Sequence, residues 1–124
     1  MKTESIRQRK IADEIKKKVS QIIDRKLKDP RKGFITITNV KISGDMRIAS
    51  IYYSSLGDEE QRKDSKKALE SAQNFIRSEL APYLKMRFVP ELRFFYDDTL
   101  DYSQHIEDLI RQIHSDEDKN KNER

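Results

Sequence analysis

Apolar residues in the first thirty positions recur at steps of three and four. Ile11, Ile15, Val19, Ile22 and Ile23 fall on one stripe when each residue turns the chain by about 100°, which predicts a helix over roughly residues 4–28. Lys10, Lys17 and Lys28 project almost opposite that stripe, with Arg7 and Arg25 beside them, while Glu14 and Asp24 interrupt the basic face. Pro30 pushes Asp29 out of the helical region and suits the second position of a tight turn, so the helix should stop near Lys28. The period then changes to two. Ile35 and Ile37 occupy odd positions and Val40 and Ile42 even ones, so one strand keeps all four on one face only by inserting an extra residue. A bulge at Thr38-Asn39 is the expected solution. Residues 34–43 and 48–56 predict a hairpin, with Ser43-Gly44-Asp45 as its turn.

After Gly57-Asp58 the helical period returns at Ala68, Leu69, Ala72, Phe75, Ile76, Leu80, Tyr83 and Leu84. Glu59, Glu60, Arg62, Lys63, Lys66 and Lys67 give this helix a solvated first part. Pro82 removes an internal hydrogen bond, so a helix over 60–86 must bend or break there, and Asn74 marks a second candidate irregularity. Residues 88–97 alternate again, Leu92, Phe94 and Tyr96 against Arg93 and Phe95, and Pro90 suits an edge strand or a strand start. Ile106, Leu109, Ile110 and Ile113 predict a short final helix capped by Ser103. Residues 115–124 carry no apolar side chain and are expected to be a disordered charged tail. The resulting order is helix, strand, strand, bent helix, strand, short helix. It predicts an α+β fold with the helices on one face of a three-stranded sheet, in a single domain over residues 1–114.

Apolar residues make up 35% of the 124 positions and charged ones 39%, so the core must be thin and the surface ionic. The absence of cysteine excludes disulfides, thiolate metal ligands and thiol nucleophiles. No apolar run approaches the roughly 20 residues of a membrane span, so a soluble intracellular protein is expected. The net charge of +4 hides an asymmetry: residues 1–33 hold 12 Lys/Arg against 5 Asp/Glu, whereas residues 97–124 hold 4 against 9. Such a dipolar molecule is steered toward a polyanion with its basic end forward, which makes nucleic acid the first candidate partner. The same charges also serve plain solubility.

The stretches LKDPRKGFITITNVKISGDMRIASIYYSSLG and ALESAQNFIRSELAPYLKMRFVPELRFFYDDTL resemble bacterial ribosome-binding factor A, and the resemblance extends over about residues 4–113. It is carried by Asp29-Pro30-Arg31, the Thr-rich strand ending in Val40, Phe75-Ile76-Arg77, Arg87 with Pro90-Glu91-Leu92, and Phe94 with Asp97. The resemblance implies a KH-like fold of the second topology, in which a kinked helix with Ala-x-Gly replaces the usual Gly-x-x-Gly loop. At the kink this chain reads Ala72-Gln73-Asn74, with Asn where the family has Gly, and Ser103 stands where a glycine is expected before the last helix. The resemblance further implies a non-catalytic factor that binds the free small (30S) ribosomal subunit and 16S rRNA, near the 5′-terminal helix and the decoding region. It would act in late rRNA processing and subunit maturation, above all in the cold. A cytoplasmic monomer without cofactor is implied, released with help from a GTPase in some bacteria.

The residues expected to meet RNA are Arg7, Arg9 and Lys10 on the first helix, Lys28, Arg31 and Lys32 at the corner after it, Gln73 and Asn74 at the kink, and Arg77 and Arg87. Arg31 has a competing structural reading as a salt bridge to Asp29, and Arg77 and Arg87 as ion pairs with Glu79, Glu91 or Asp97. Tyr52, Tyr53, Phe94, Phe95 and Tyr96 are stacking candidates, but a sheet covered on one side needs most of them in its core. An enzyme would draw on Asp97, Asp98 and Asp101 for Mg²⁺ and on His105 with Glu107 as acid and base. Those acids cluster in one loop ahead of a helix, where they favour its N-terminal dipole, so catalysis is not expected. The alternative function is a protein-binding adaptor with a KH-like fold.

Overall fold

Ser5 starts the first helix because its hydroxyl accepts the Gln8 backbone N–H while the Gln8 side chain accepts the Ser5 N–H. In this computed structural model, which describes residues 4–99 and 109–113, α1 runs Ile6–Arg25 and buries Ala12, Ile15, Val19, Ile22 and Ile23. Ile11 is half-buried at the margin of the same stripe. The helix stops earlier than the sequence suggests: the Lys26 N–H closes the last turn on the Ile22 carbonyl, and Lys28 lies beyond it in the loop. Asp29 then accepts the Arg31 N–H, and the Lys32 N–H donates to the Asp29 carbonyl at 3.1 Å, forming one 3-10 turn at Pro30–Lys32. Gly33 leaves this turn with φ of 56°, a conformation that costs glycine little.

β1 (Ile35–Ile42) pairs antiparallel with β2 (Ile48–Ser55), and β2 pairs parallel with β3 (Glu91–Tyr96), so β2 is the central strand. The register steps between Ile37 and Asn39, which leaves Thr38 as the extra residue and brings Ile37, Val40 and Ile42 to the covered face together. The parity change in the sequence therefore has the cause expected of it. At the hairpin turn the Met46 N–H donates to the Ser43 carbonyl at 2.9 Å, and Met46 takes a left-handed φ of 63°.

α2 (Glu59–Leu80) opens on a second reciprocal cap, between Asp58 and Gln61. It passes through Ala72-Gln73-Asn74 as uninterrupted α-helix, and none of these residues has a positive φ. Asn74 therefore needs no left-handed backbone, and the helical path breaks instead at Ala81–Tyr83, a 3-10 turn containing Pro82. Pro82 cannot continue the ladder, so the helical pattern that the sequence carries to residue 86 is cut at Leu80. Ile15, Ile23, Ile51, Leu69, Ile76, Leu80 and Leu92 are fully buried and join α1 and α2 to one face of the sheet. Residues 109–113 are helical, with Leu109, Ile110 and Ile113 substantially exposed. The expected Ser103 cap, Ile106 and the tail over 115–124 lie outside the described residues.

Candidate nucleic-acid interface

The corner between α1 and β1 is fastened to its neighbours by its own basic residues. Arg31 donates to both carboxylate oxygens of Asp29, with Nη2 to Oδ2 at 2.7 Å, and reaches Ser71 Oγ on α2 at 3.4 Å. This pairing holds the Asp29 carboxyl below the usual range and raises the guanidinium further. Lys32 Nζ donates to the Ile23 carbonyl at 2.8 Å and to that of Asp24 at 3.4 Å, so its charge lies at the C-terminal end of α1. The Ser65 hydroxyl, buried in α2, donates to the Lys32 carbonyl at 2.8 Å. Lys28 alone among the three corner cations is exposed with no ion pair or side-chain hydrogen bond among the described residues.

Ser71, Asn74 and Ser78 are spaced by three and four residues and are exposed, so they form one polar stripe along α2. The stripe begins beside Arg31 and ends in a groove lined by Asn74, Arg77, Ser78, Arg87, Phe88 and Val89. Gln73 and Arg77, one turn apart, form a clasp. Gln73 Nε2 donates to the Leu92 carbonyl, while Arg77 donates through Nε to Pro90 at 3.2 Å and through Nη2 to Val89 at 2.8 Å. Arg77 thus holds the entry to β3 through carbonyls, whereas Glu79 pairs with Lys26 and Glu91 with Arg93. Arg87 lies 5.6 Å from the ring of Phe88, which is exposed. Small residues spaced like Ser71 and Ser78 could have marked the stripe in the sequence, but Phe88 in the groove carried no periodic signal.

The segment between the 3-10 turn and β3 connects this groove with the start of α1. Lys85 and Met86 line a cleft with Ile6, Arg7, Lys10, Ile11 and Glu14. Arg7, Lys10 and the exposed Arg9 make no ion pair among the described residues. Arg7 and the corner sit at opposite ends of α1, on the order of 27 Å apart at 1.5 Å per residue. Arg7, Arg9 and Lys10 therefore form one group of candidate residues and Lys28, Arg31 and Lys32 another, with Lys16, Lys17 and Lys18 between them on α1, and the α2 stripe with the 84–90 segment runs from the corner to the cleft beside Arg7.

Tyr53, Phe94 and Tyr96 lie on the covered face, where Tyr53 and Tyr96 meet edge to face at 5.7 Å. Tyr52 and Phe95 lie on the other face. Asp97 accepts the Thr38 hydroxyl at 2.6 Å and the Thr99 N–H at 3.0 Å, bonds that hold its carboxyl below the usual range. It thereby ties the bulge to the end of β3. Among the described residues no group of acids or histidines is arranged to hold a metal ion. Asp101, His105 and Glu107 lie outside the described residues.

The order α1-β1-β2-α2-β3, with a mixed sheet carrying both helices on one face and no Gly-x-x-Gly anywhere in the sequence, defines a variant KH-like domain. The chain belongs to the ribosome-binding factor A family, whose family model matches residues 7–110. It is 42% identical over 112 residues to the ribosome-binding factor A of Macrococcus caseolyticus, covering 90% of this chain and 98% of the relative. It is 47% identical over 109 residues to that of a Geobacter species, covering 88% and 92%. The crystal structure of ribosome-binding factor A from Thermus thermophilus superposes with a TM-score of 0.64 at 26% identity, over 72% of this chain and 94% of that one. A homology model of the Thermus factor fitted into a cryo-EM map of a 30S–RbfA complex gives 0.59 at 27% identity, over 69% and 90%.

Proposed function

We propose that this chain is a non-catalytic assembly factor that binds the small ribosomal subunit and 16S rRNA, near the 5′-terminal helix and decoding region, during late maturation. It acts as a cytoplasmic monomer without cofactor. Arg7, Arg9, Lys10, Lys28 and Arg87 meet phosphates, and Asn74 faces the RNA from the groove. Gln73, Arg77, Arg31 and Lys32 hold the surface in shape behind them. The observation that carries this reading is the set of cations, Arg7 and Lys10 in one cleft and Arg87 in the adjoining groove, that make no ion pair among the described residues, on a chain whose Thermus relative was fitted into a 30S complex. Cations on a rigid scaffold release counterions and favour the RNA conformation that fits them. The need for such selection is greatest in the cold, where misfolded RNA escapes slowly, and a GTPase assists release. Described helices include none long and apolar enough to cross a membrane.

Sucrose-gradient sedimentation of a cell extract tests the proposal. The chain should migrate with free small subunits at low salt and leave them at high salt. Migration with soluble protein at low salt would refute it, and salt-insensitive attachment would favour the adaptor reading instead.

A further inference from the structure

The sheet has a face that no helix covers, and its composition is unlike that of a surface waiting for a protein layer. Pairing brings its residues into transverse rows. Asn39, Tyr52 and Phe95 are neighbours across β1, β2 and β3, and Lys41, Ser50 and Arg93 form the next row. Two residues along a strand separate such rows by about 6.7 Å. An aromatic row thus runs beside a row with a cation at each end.

The two rings lie 5.6 Å apart at 32°, and Phe95 keeps 44% of its surface exposed at a strand edge. Lys41 Nζ stands 5.9 Å from the Tyr52 ring. Arg93 pairs with Glu91 at 3.2 Å, but both side chains are half exposed, and such a pair exchanges readily for a phosphate. Thr36 and Ser54 add hydroxyls in the row beyond Tyr52, and Ile48 is the one aliphatic position on this face. A docking helix or strand needs an aliphatic bed. Flat rings bordered by cations and hydroxyls suit unpaired bases and their backbone.

We propose that this open sheet face is a second RNA site, where unpaired nucleotides stack on Tyr52 and Phe95 while Lys41 and Arg93 meet the flanking phosphates. The inference rests on the RNA-binding reading above and extends it to single strands, on the face opposite α1 and α2. A factor with both sites grips a structured element with its helical side and holds an adjacent unpaired segment on its sheet.

The test uses the full chain with Phe95→Trp, read by indole emission, and fluorescein-labelled octauridylate, read by anisotropy. Octauridylate should quench the indole saturably, at the concentrations where anisotropy rises, and inorganic polyphosphate should not quench it. Tyr52→Leu and Phe95→Leu, which keep apolar bulk, should each weaken octauridylate binding at least about fivefold while retaining the wild-type circular dichroism spectrum. Octauridylate binding with an unchanged indole would overturn this inference and leave the helical-side proposal standing. Equal quenching by polyphosphate would overturn it, since charge alone would then account for the response. An indole that responds to whole small subunits but not to octauridylate would overturn it in favour of a ribosomal protein. Failure of octauridylate to bind the wild-type chain would overturn it too, and the sedimentation experiment then decides the helical-side reading independently.

Discussion

Arg31 and Lys32 show why a charge in a sequence is not the same as a charge available to a partner. Their place after a helix end makes both candidates for RNA contact, while in the fold one is paired with Asp29 and the other donates to the carbonyls at the end of α1. Nothing local to Lys32 announces that its side chain turns back nine residues. Arg31 was legible, since an acid two positions earlier is within easy reach. Replacing Lys32 by Met should lower stability by about 0.3–1 kcal/mol, the usual value of a cation at a helix C-terminus, with urea unfolding as the measurement. Asp29→Ala should lower the urea midpoint through loss of both the cap on the Pro30–Lys32 turn and the ion pair. Asp29→Asn keeps the cap and removes the ion pair, so it separates the two effects. Because the Asp29 carboxyl is depressed by Arg31, its contribution is complete above the ordinary carboxylate value and is lost as pH falls through the lowered one. Urea midpoints measured from pH 7 downward should therefore fall less steeply in acid for Asp29→Asn than for the natural chain.

Elements were legible wherever a local pattern had only one geometric solution. Two isoleucines on odd positions followed by apolar residues on even ones demand an inserted residue, and Thr38 is that residue. Deleting Thr38 should turn Val40 and Ile42 to the uncovered face, and the chain should lose its cooperative thermal transition. The break after α2 was legible for the same reason, because proline has no N–H to continue a helix. Its consequence for residues 84–86 was not, since Leu84 is buried and keeps the helical spacing without being helical. The clasp from α2 to β3 was hidden altogether. Gln73 and Arg77 find backbone carbonyls about a dozen to twenty residues away, and carbonyls leave no trace in a sequence pattern. Gln73→Ala and Arg77→Ala should each destabilise by about 1 kcal/mol by urea unfolding, with Arg77→Ala loosening the groove beside Arg87. Leu69→Ala, in the fully buried core, should cost about 2–5 kcal/mol.

At the scale of the whole molecule, the charge asymmetry of the chain becomes an arrangement with direction. One helical side carries Arg7, Lys10, Lys85, Arg87 and Lys28 along with a polar stripe, and the opposite side carries two rings beside a row with a cation at each end. The excess of base in residues 1–33 foretold the first side in kind, but not that Arg7 and Lys10 share a cleft with Lys85 while Lys28 stands at the far end of α1. The uncovered face could be foreseen only as a place for one or two of five aromatics, because the parity of Tyr52 and Phe95 gains meaning once the register of β2 and β3 is known.

The salt dependence of binding to free small subunits addresses the central claim most directly. Each phosphate neutralised adds about 0.7–0.9 to the slope of log K against log salt concentration. Replacing Arg7, Lys10, Lys28 and Arg87 together by Gln should flatten the slope by about 3, while Lys32→Gln should leave it unchanged and lower only the urea midpoint. An unaltered slope in the fourfold variant, with its fold intact, would contradict the account.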